Sequence, residues 1–94
     1  MSRFLEKLIA AEEKETNITI NTHCLGMFTI RLEFVPMDVT VIDNQIEFFD
    51  SDKGEYSKII ISMDCLRYEN GIYRVVSDGG YMDIEFGNDD EFNV

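Results

Sequence analysis

Apolar and polar residues alternate along positions 17–35, which is the pattern of a β-strand with one buried face. This stretch has 19 residues, more than an ordinary strand, so we expect a break near Thr22 to Gly26 that gives two strands or one strongly bent strand. Pro36 ends the run because proline has no N–H group to donate to a neighbouring strand. The apolar face consists of the even-numbered positions, which are Ile18, Ile20, Thr22, Cys24, Gly26, Phe28, Ile30, Leu32 and Phe34.

The stretch from Leu66 to Phe86 predicts three antiparallel strands joined by two tight turns. Asn70-Gly71 favours a two-residue hairpin turn because both central residues of that turn need positive φ. With Asp78-Gly79 as the second turn, six apolar side chains of the three strands fall on one face, which few other registers would achieve. The predicted pairs are Leu66–Val75, Tyr68–Tyr73, Val75–Met82 and Tyr73–Ile84, and the opposite face carries Arg67, Arg74, Asp83 and Glu85, with Arg74 beside Asp83.

The N-terminal segment predicts an amphipathic helix over about residues 3–15, with Ser2 as its cap. Its apolar side chains share one stripe, so we expect the helix to pack on a sheet. This stripe consists of Phe4, Leu5, Leu8 and Ile9, closed by Ala11 or Glu12.

Two further segments predict strands. Residues 56–65 alternate except at Ile60, so we expect this strand to be central and covered on both faces. Between Met63 and Leu66 the apolar side chains change from odd-numbered to even-numbered positions, which a bulge or bend would explain. Residues 38–50 predict a hairpin with Asp43-Asn44 as its loop and with Val41–Ile46 and Val39–Phe48 as cross-strand pairs.

These elements predict one α+β domain that comprises residues 1–94. In this fold the N-terminal helix packs on a strongly bent, mostly antiparallel sheet of about six or seven short strands within residues 17–86. An open sheet and a partly closed barrel both fit this order of elements. Residues 87–94 form an acidic C-terminal tail that we expect to be frayed.

Composition adds a strong negative charge, with 19 Asp and Glu residues against 8 Lys and Arg and a formal net charge of -11. Such a surface repels phosphate backbones and anionic membranes, so we expect no direct binding to either and a basic protein as partner. The alternative is that the acidity only keeps a small protein soluble. Neither a signal peptide nor a membrane span is recognisable, so we expect a cytoplasmic protein.

No pattern in the chain indicates catalysis, a cofactor or a metal site. His23 and Cys24 are neighbours, but adjacent side chains of a strand point to opposite faces and cannot form a catalytic pair unless the strand breaks there. Cys24 and Cys65 lack the short spacing of zinc ligands. Both fall on apolar positions of strand-like runs, so we interpret them as reduced core residues. The acids of residues 50–55 lack the length and glycine position of a calcium loop and predict a hairpin turn. We therefore expect that the protein is not an enzyme.

The acids near the C-terminus are the candidate partner-binding residues. From Val75 onward the chain has six acids and neither Lys nor Arg. Alternate side chains of an extended chain stand roughly 7 Å apart, about twice the spacing of phosphates along a nucleic-acid strand. Such a row could occupy a basic channel, and a solvated face with a frayed tail is the alternative. The candidates are Asp83, Glu85, Asp89, Asp90 and Glu91.

Two functions from different classes fit these features. The first is a non-enzymatic inhibitor that occupies a basic nucleic-acid-binding surface of another protein, for example of a nucleic-acid-processing enzyme. In its small size, acidity, mixed α and β content and lack of catalytic motifs, the chain resembles the anti-CRISPR and anti-restriction inhibitors that phages and mobile elements encode. The second is a small structural or assembly subunit that self-associates through its sheet or helix, for example as a homodimer. For this second function, the order of a helix followed by bent strands is similar to that of Sm-like barrels. A third interpretation is a protein that binds a small molecule within a partly closed barrel.

Overall fold

The computed structural model describes residues 3–24, 26–50 and 58–87. In these residues the chain forms one α-helix, eight β-strands and a short 3-10 helix. The α+β fold class is confirmed, with eight strands rather than six or seven, and the sheets do not close into a barrel. The elements are α1 (Arg3–Glu13), β1 (Ile18–Cys24), β2 (Phe28–Phe34), β3 (Met37–Ile42), β4 (Gln45–Phe49), β5 (Lys58–Ser62), the 3-10 helix (Met63–Cys65), β6 (Leu66–Glu69), β7 (Ile72–Ser77) and β8 (Gly80–Phe86).

Five strands form one antiparallel sheet in the order β2-β1-β8-β7-β6. The break predicted within residues 17–35 is confirmed, because β1 ends at Cys24 and β2 begins at Phe28. The two strands form a hairpin in continuous register, from Ile18 opposite Phe34 to Cys24 opposite Phe28. The even positions of the alternating run therefore lie on one face of this sheet.

The predicted meander of β6, β7 and β8 is confirmed in register, since all four predicted cross-strand pairs are present. Asn70 and Gly71 have φ values of 52° and 83°, as their tight turn requires. β8 then pairs with β1, with Ile20 opposite Ile84. This long-range pairing brings the apolar face of the meander into line with that of the first hairpin.

The remaining strands form a second antiparallel sheet in the order β3-β4-β5. Its hairpin pairs Val41 with Ile46, as predicted. A bulge between β3 residues 37 and 40 replaces the predicted pair of Val39 with Phe48. Asp38 lies in this bulge with a φ of 51°, which interrupts the extended backbone.

β5 lies at the edge of the three-stranded sheet, so the prediction of a central strand covered on both faces is wrong. Ile61 faces the core and is buried, whereas Ile60 faces outward and is 51% exposed. An apolar residue on a solvated face is common in folded proteins, since polar atoms cannot cover the whole surface. The interrupted alternation at Ile60 therefore indicated an exposed apolar residue and not a second buried face.

A 3-10 helix after β5 explains why the apolar side chains change from odd-numbered to even-numbered positions there. The helix comprises Met63–Cys65 and carries the chain from the three-stranded sheet to β6 of the five-stranded sheet. Cys65 consequently lies in this helix and not in a strand.

α1 ends about two residues earlier than predicted. Of the expected stripe it buries Phe4, Leu5, Leu8 and Ala11, whereas Ile9 is only partly buried. The Phe4 ring packs against Tyr73 of the five-stranded sheet, with 5.2 Å between ring centroids. The opposite end of the helix reaches the three-stranded sheet, where it meets β3. The helix thus contacts both sheets.

The helix and the two sheets share one hydrophobic core. The rings of Phe34 and Phe48 join the sheets directly, with 6.2 Å between their centroids. The buried apolar residues are Phe4, Leu5, Leu8, Ala11, Ile18, Ile20, Phe34, Ile46, Phe48, Ile61, Tyr73 and Ile84.

Three predictions fall on residues outside those that the structure describes. They are the helix cap at Ser2, the turn within residues 50–55 and the acidic tail after Gly87.

Candidate interaction surfaces

The five-stranded sheet has an outer face that points away from the core. Its centre is a polar row that runs across four strands, from Arg31 through Asn21 and Asp83 to Arg74. Next to this row, His23 lies opposite Tyr81. Charged and aromatic side chains are therefore concentrated on one open face.

Asp83, a predicted partner-binding residue, is bound to Arg74. The Arg74 guanidinium donates two hydrogen bonds to the two carboxylate oxygens, at 2.7 and 3.0 Å. The hydrogen bond to Asp83 raises the pKa of the Arg74 guanidinium above its ordinary value. Only 13% of the Asp83 side chain is exposed. Its charge is thus largely compensated within the protein.

The ring of Tyr81 lies between two other side chains of the outer face. The Arg74 guanidinium is 4.1 Å from the centroid of this ring, and the His23 ring stacks on it at 4.5 Å. The hydroxyl of Thr29 lies 3.3 Å from Nδ1 of His23. His23 and Cys24 are both in β1, so their side chains point to opposite faces of the sheet. Stacking and hydrogen bonding give His23 a structural role on this face.

Glu85 is the other predicted partner-binding residue that the structure describes. It is exposed on the outer face and lies opposite Thr19, whose neighbour on the other side is Glu33. Glu33 forms an ion pair with Arg31 at 3.0 Å. Among the described residues, none forms an ion pair with Glu85. The remaining candidates, Asp89, Asp90 and Glu91, lie outside the described residues.

Exposed acids are spread over the rest of the described surface. Of the fourteen acidic residues in the described ranges, ten are exposed. Three of the basic residues, Arg31, Lys58 and Arg74, are engaged by Glu33, Glu47 and Asp83. The exposed acids are Glu6, Glu13, Glu15, Glu33, Asp38, Asp43, Asp64, Glu69, Asp78 and Glu85.

A second surface, which sequence reasoning missed, is the apolar strip of β2. We define this strip as Phe28, Ile30 and Leu32, which are 54%, 46% and 39% exposed. Their even positions place them on the core side of the sheet, but β2 is its edge strand and only Phe34 at its end is buried. The alternation of apolar and polar residues correctly predicted which side chains of β2 lie on the core side of the sheet. It does not indicate how many of them the core covers.

The two cysteines are free and half-buried, and neither forms a disulfide. In the described part of the chain, no cluster of three or more His, Cys, Asp or Glu side chains is arranged to hold a metal ion. No helix within the described ranges has the length and apolar character needed to cross a membrane.

Comparison with known proteins finds no significant match: no protein family, no curated protein and no solved structure is detectably similar to the chain.

Proposed function

We propose that the protein is a non-enzymatic, acidic interaction protein of the cytoplasm that inhibits a nucleic-acid-processing protein by occupying its basic surface. The observation that supports this proposal is the excess of exposed acids over available basic side chains in a chain of net charge -11. Opposite surface potentials accelerate the encounter of two proteins and favour binding of an acidic surface in a basic cleft. The inhibitor would then compete with nucleic acid for the same Lys and Arg residues, in the manner of an anti-CRISPR or anti-restriction protein.

The contact surface that we propose begins at Glu85 and continues into Asp89, Asp90 and Glu91. Glu85 is exposed and has no ion-pair partner in the described part of the chain. Asp83 is assigned a supporting role within this surface, because its bonds to Arg74 compensate its charge. A partner would have to break those bonds before it could bind Asp83 directly.

A charge-matched pair of variants tests this proposal. The first replaces Glu85, Asp89, Asp90 and Glu91 with their amides, and the control replaces the exposed residues Glu6, Glu13, Asp43 and Asp78 in the same way. Each tagged protein is used to capture binding proteins from the native host lysate, with washes at rising salt. A captured nucleic-acid-processing protein is then purified, and its binding to nucleic acid is measured with each variant as competitor.

We expect the wild-type protein and the control to displace nucleic acid, with a salt-sensitive affinity. For the first variant we expect an affinity weaker by about tenfold or more at low salt, since steering and contact both depend on local charge. If both variants weaken equally, net charge and not the C-terminal acids determines binding. If the captured protein binds nucleic acid equally well in the presence of the wild-type protein, the inhibitor proposal is wrong.

A second candidate function is a small assembly subunit that self-associates through its sheet. The exposed apolar strip on the edge strand β2 favours this candidate, because apolar side chains at a free sheet edge are typical of strand pairing between molecules. Glu85 lies on the outer face of the five-stranded sheet and the strip on its core side, so the two functions use different faces of that sheet.

A further inference from the structure

We propose that two copies of the chain pair antiparallel through β2, with Leu32 on the two-fold axis, so that their five-stranded sheets join into one continuous sheet. This pairing rests on the second candidate function and specifies its surface and register. It depends on neither the C-terminal acids nor a basic partner.

Among the residues that the structure describes, β2 is the least protected of the four sheet edges. Natural proteins protect free edges by shortening them, by bulges, by proline or by covering them with other elements. β2 has seven residues, pairs with β1 without a bulge, and is exposed at six of its seven positions. By contrast, β6 has four residues, β5 has five and β3 contains a bulge. A strand of a second molecule would therefore find its longest regular template at β2.

The side chains of β2 fit such a pairing. Phe28, Ile30 and Leu32 lie on the same face of the sheet as the core residues, but beyond the edge of the core, where they are exposed. In a two-fold antiparallel pair, the corresponding residues of the second copy lie on the same face of the joined sheet. The two apolar strips would then pack side by side across the junction, which reduces the apolar area that each exposes to water.

Charge selects one register for this pair. With Leu32 on the axis, Arg31 of each copy lies opposite Glu33 of the other, and Ile30 lies opposite Phe34. Opposite charges that face each other across two strands stabilise the pairing. Because Arg31 and Glu33 already form an ion pair within the strand, each charge would have an opposite charge both along and across the junction.

The neighbouring registers lack this complementarity. With Arg31 on the axis, two arginines would face each other, and like charges opposite one another are destabilising. With Ile30 on the axis, Arg31 would face Thr29, and Glu33 would lie opposite Met27 of the turn. The register centred on Leu32 is therefore the one that the sequence of β2 favours.

Charge reversal tests the pairing. The variants are Arg31→Glu, Glu33→Arg and the double variant, and their masses are measured by sedimentation equilibrium in about 0.15 M salt, where repulsion between the acidic molecules is screened beyond roughly 8 Å. The side chains of Arg31 and Glu33 are exposed, so these variants should keep the thermal stability of the wild type.

We expect a dimer for the wild type and a dissociation constant at least about tenfold higher for each single variant, because like charges then face each other. An equimolar mixture of the two single variants should form a heterodimer, since all facing charges are opposite again. The double variant should regain the wild-type affinity for the same reason.

Cross-linking tests the register. In a chain with Cys24 and Cys65 replaced by serine, Leu32→Cys should form an intermolecular disulfide, because residues that face each other across the axis have Cα atoms about 4.5–5.5 Å apart. In the matched variant Ile30→Cys, the two cysteines are four positions out of line, or roughly 13 Å, and should not cross-link.

Each unfavourable outcome has a separate meaning. A wild-type protein that stays monomeric at high concentration overturns both the pairing and the second candidate function. A dimer that is insensitive to all charge reversals overturns pairing through β2 and leaves self-association by another surface. Cross-linking through Ile30→Cys and not Leu32→Cys overturns the register. None of these outcomes affects the acidic-inhibitor proposal.

Discussion

At the scale of single residues, the neighbours of an acid determine what it can do. Asp83 and Glu85 are two positions apart on the same face of β8, and sequence gives no reason to separate them. Across the strand pair, however, Asp83 faces Arg74 and is bound by it, whereas Glu85 is exposed. The first acid is therefore engaged within the sheet, and the second is left exposed to solvent.

We predict that Asp83→Asn lowers the free energy of unfolding more than Glu33→Gln does. Both changes remove one carboxylate from an ion pair with arginine, but the Asp83 side chain is 13% exposed and that of Glu33 is 54% exposed. Ion pairs between exposed side chains contribute little because solvent screens them. Urea titration of the two variants measures the difference, and equal losses would mean that the Arg74–Asp83 pair is no more stabilising than a surface pair.

The pH dependence of this pair follows from the raised pKa of Arg74. A group whose pKa is raised on folding contributes fully below its unfolded pKa and loses the contribution only as pH rises through the folded value. For arginine this range lies above the pH of ordinary measurements. The contribution of the Arg74 charge should therefore be the same at about pH 7 and about pH 9. A loss between these values, measured as the difference between wild type and Arg74→Gln, would contradict this assignment.

At the scale of elements, strand β8 depends on a glycine at its first position. Gly80 lies opposite Cys24 of β1 and has a φ of 143°, a backbone conformation that other residues rarely adopt. A Cβ atom at this position would collide with the backbone carbonyl oxygen of His23. The close approach of β8 to β1 therefore requires glycine here.

We predict that Gly80→Ala lowers the free energy of unfolding by about 2–3 kcal/mol, from backbone strain and the displaced strand together. The adjacent Gly79→Ala is the control, because a Cβ there meets no atom within 4 Å. That change should stay within about 0.5 kcal/mol of the wild type, as expected of a surface site. Thermal or urea unfolding measures both, and comparable losses would show that the turn rather than the strand contact is sensitive.

At the scale of the whole molecule, α1 joins two sheets that each pack their apolar face into one core. The Glu12 carboxylate completes this connection, because it accepts hydrogen bonds from the backbone N–H groups of Asp38 and Val39, at 3.0 and 3.3 Å. Asp38 and Val39 belong to the bulge of β3, where neither residue is paired with a residue of β4. Glu12 contributes to the net negative charge, and its hydrogen bonds also connect the helix to the three-stranded sheet.

We predict that Glu12→Ala lowers the free energy of unfolding by about 1–2 kcal/mol, since hydrogen bonds to a charged group are lost at a partly exposed site. Glu13→Ala is the matched control, because Glu13 is exposed on the same helix and should change stability little. Hydrogen exchange of the Asp38 and Val39 amides gives a local measure, and protection should fall in the first variant alone. Unchanged protection in Glu12→Ala would rule out this connection.

Sequence by itself determined the elements and much of the strand pairing of this protein. The helix, the break between β1 and β2 and the register of β6, β7 and β8 follow from alternation and from turn residues such as Asn70-Gly71, which act over a few positions. Strong negative charge, and the functional proposal based on it, are also properties of composition.

Only the tertiary structure decided which parts of each alternating face are covered. Leu32 has the same local pattern as the buried residues of its face, but β2 lies at a sheet edge and the side chain is exposed. Ile60 suggested a second covered face of β5, but its side chain is exposed as well. The pairing of β1 with β8 and the bonds of Glu12 to β3 likewise join residues far apart in the chain. Burial and contact of this kind depend on where distant elements pack, and the period of a sequence records only which side chains share a face.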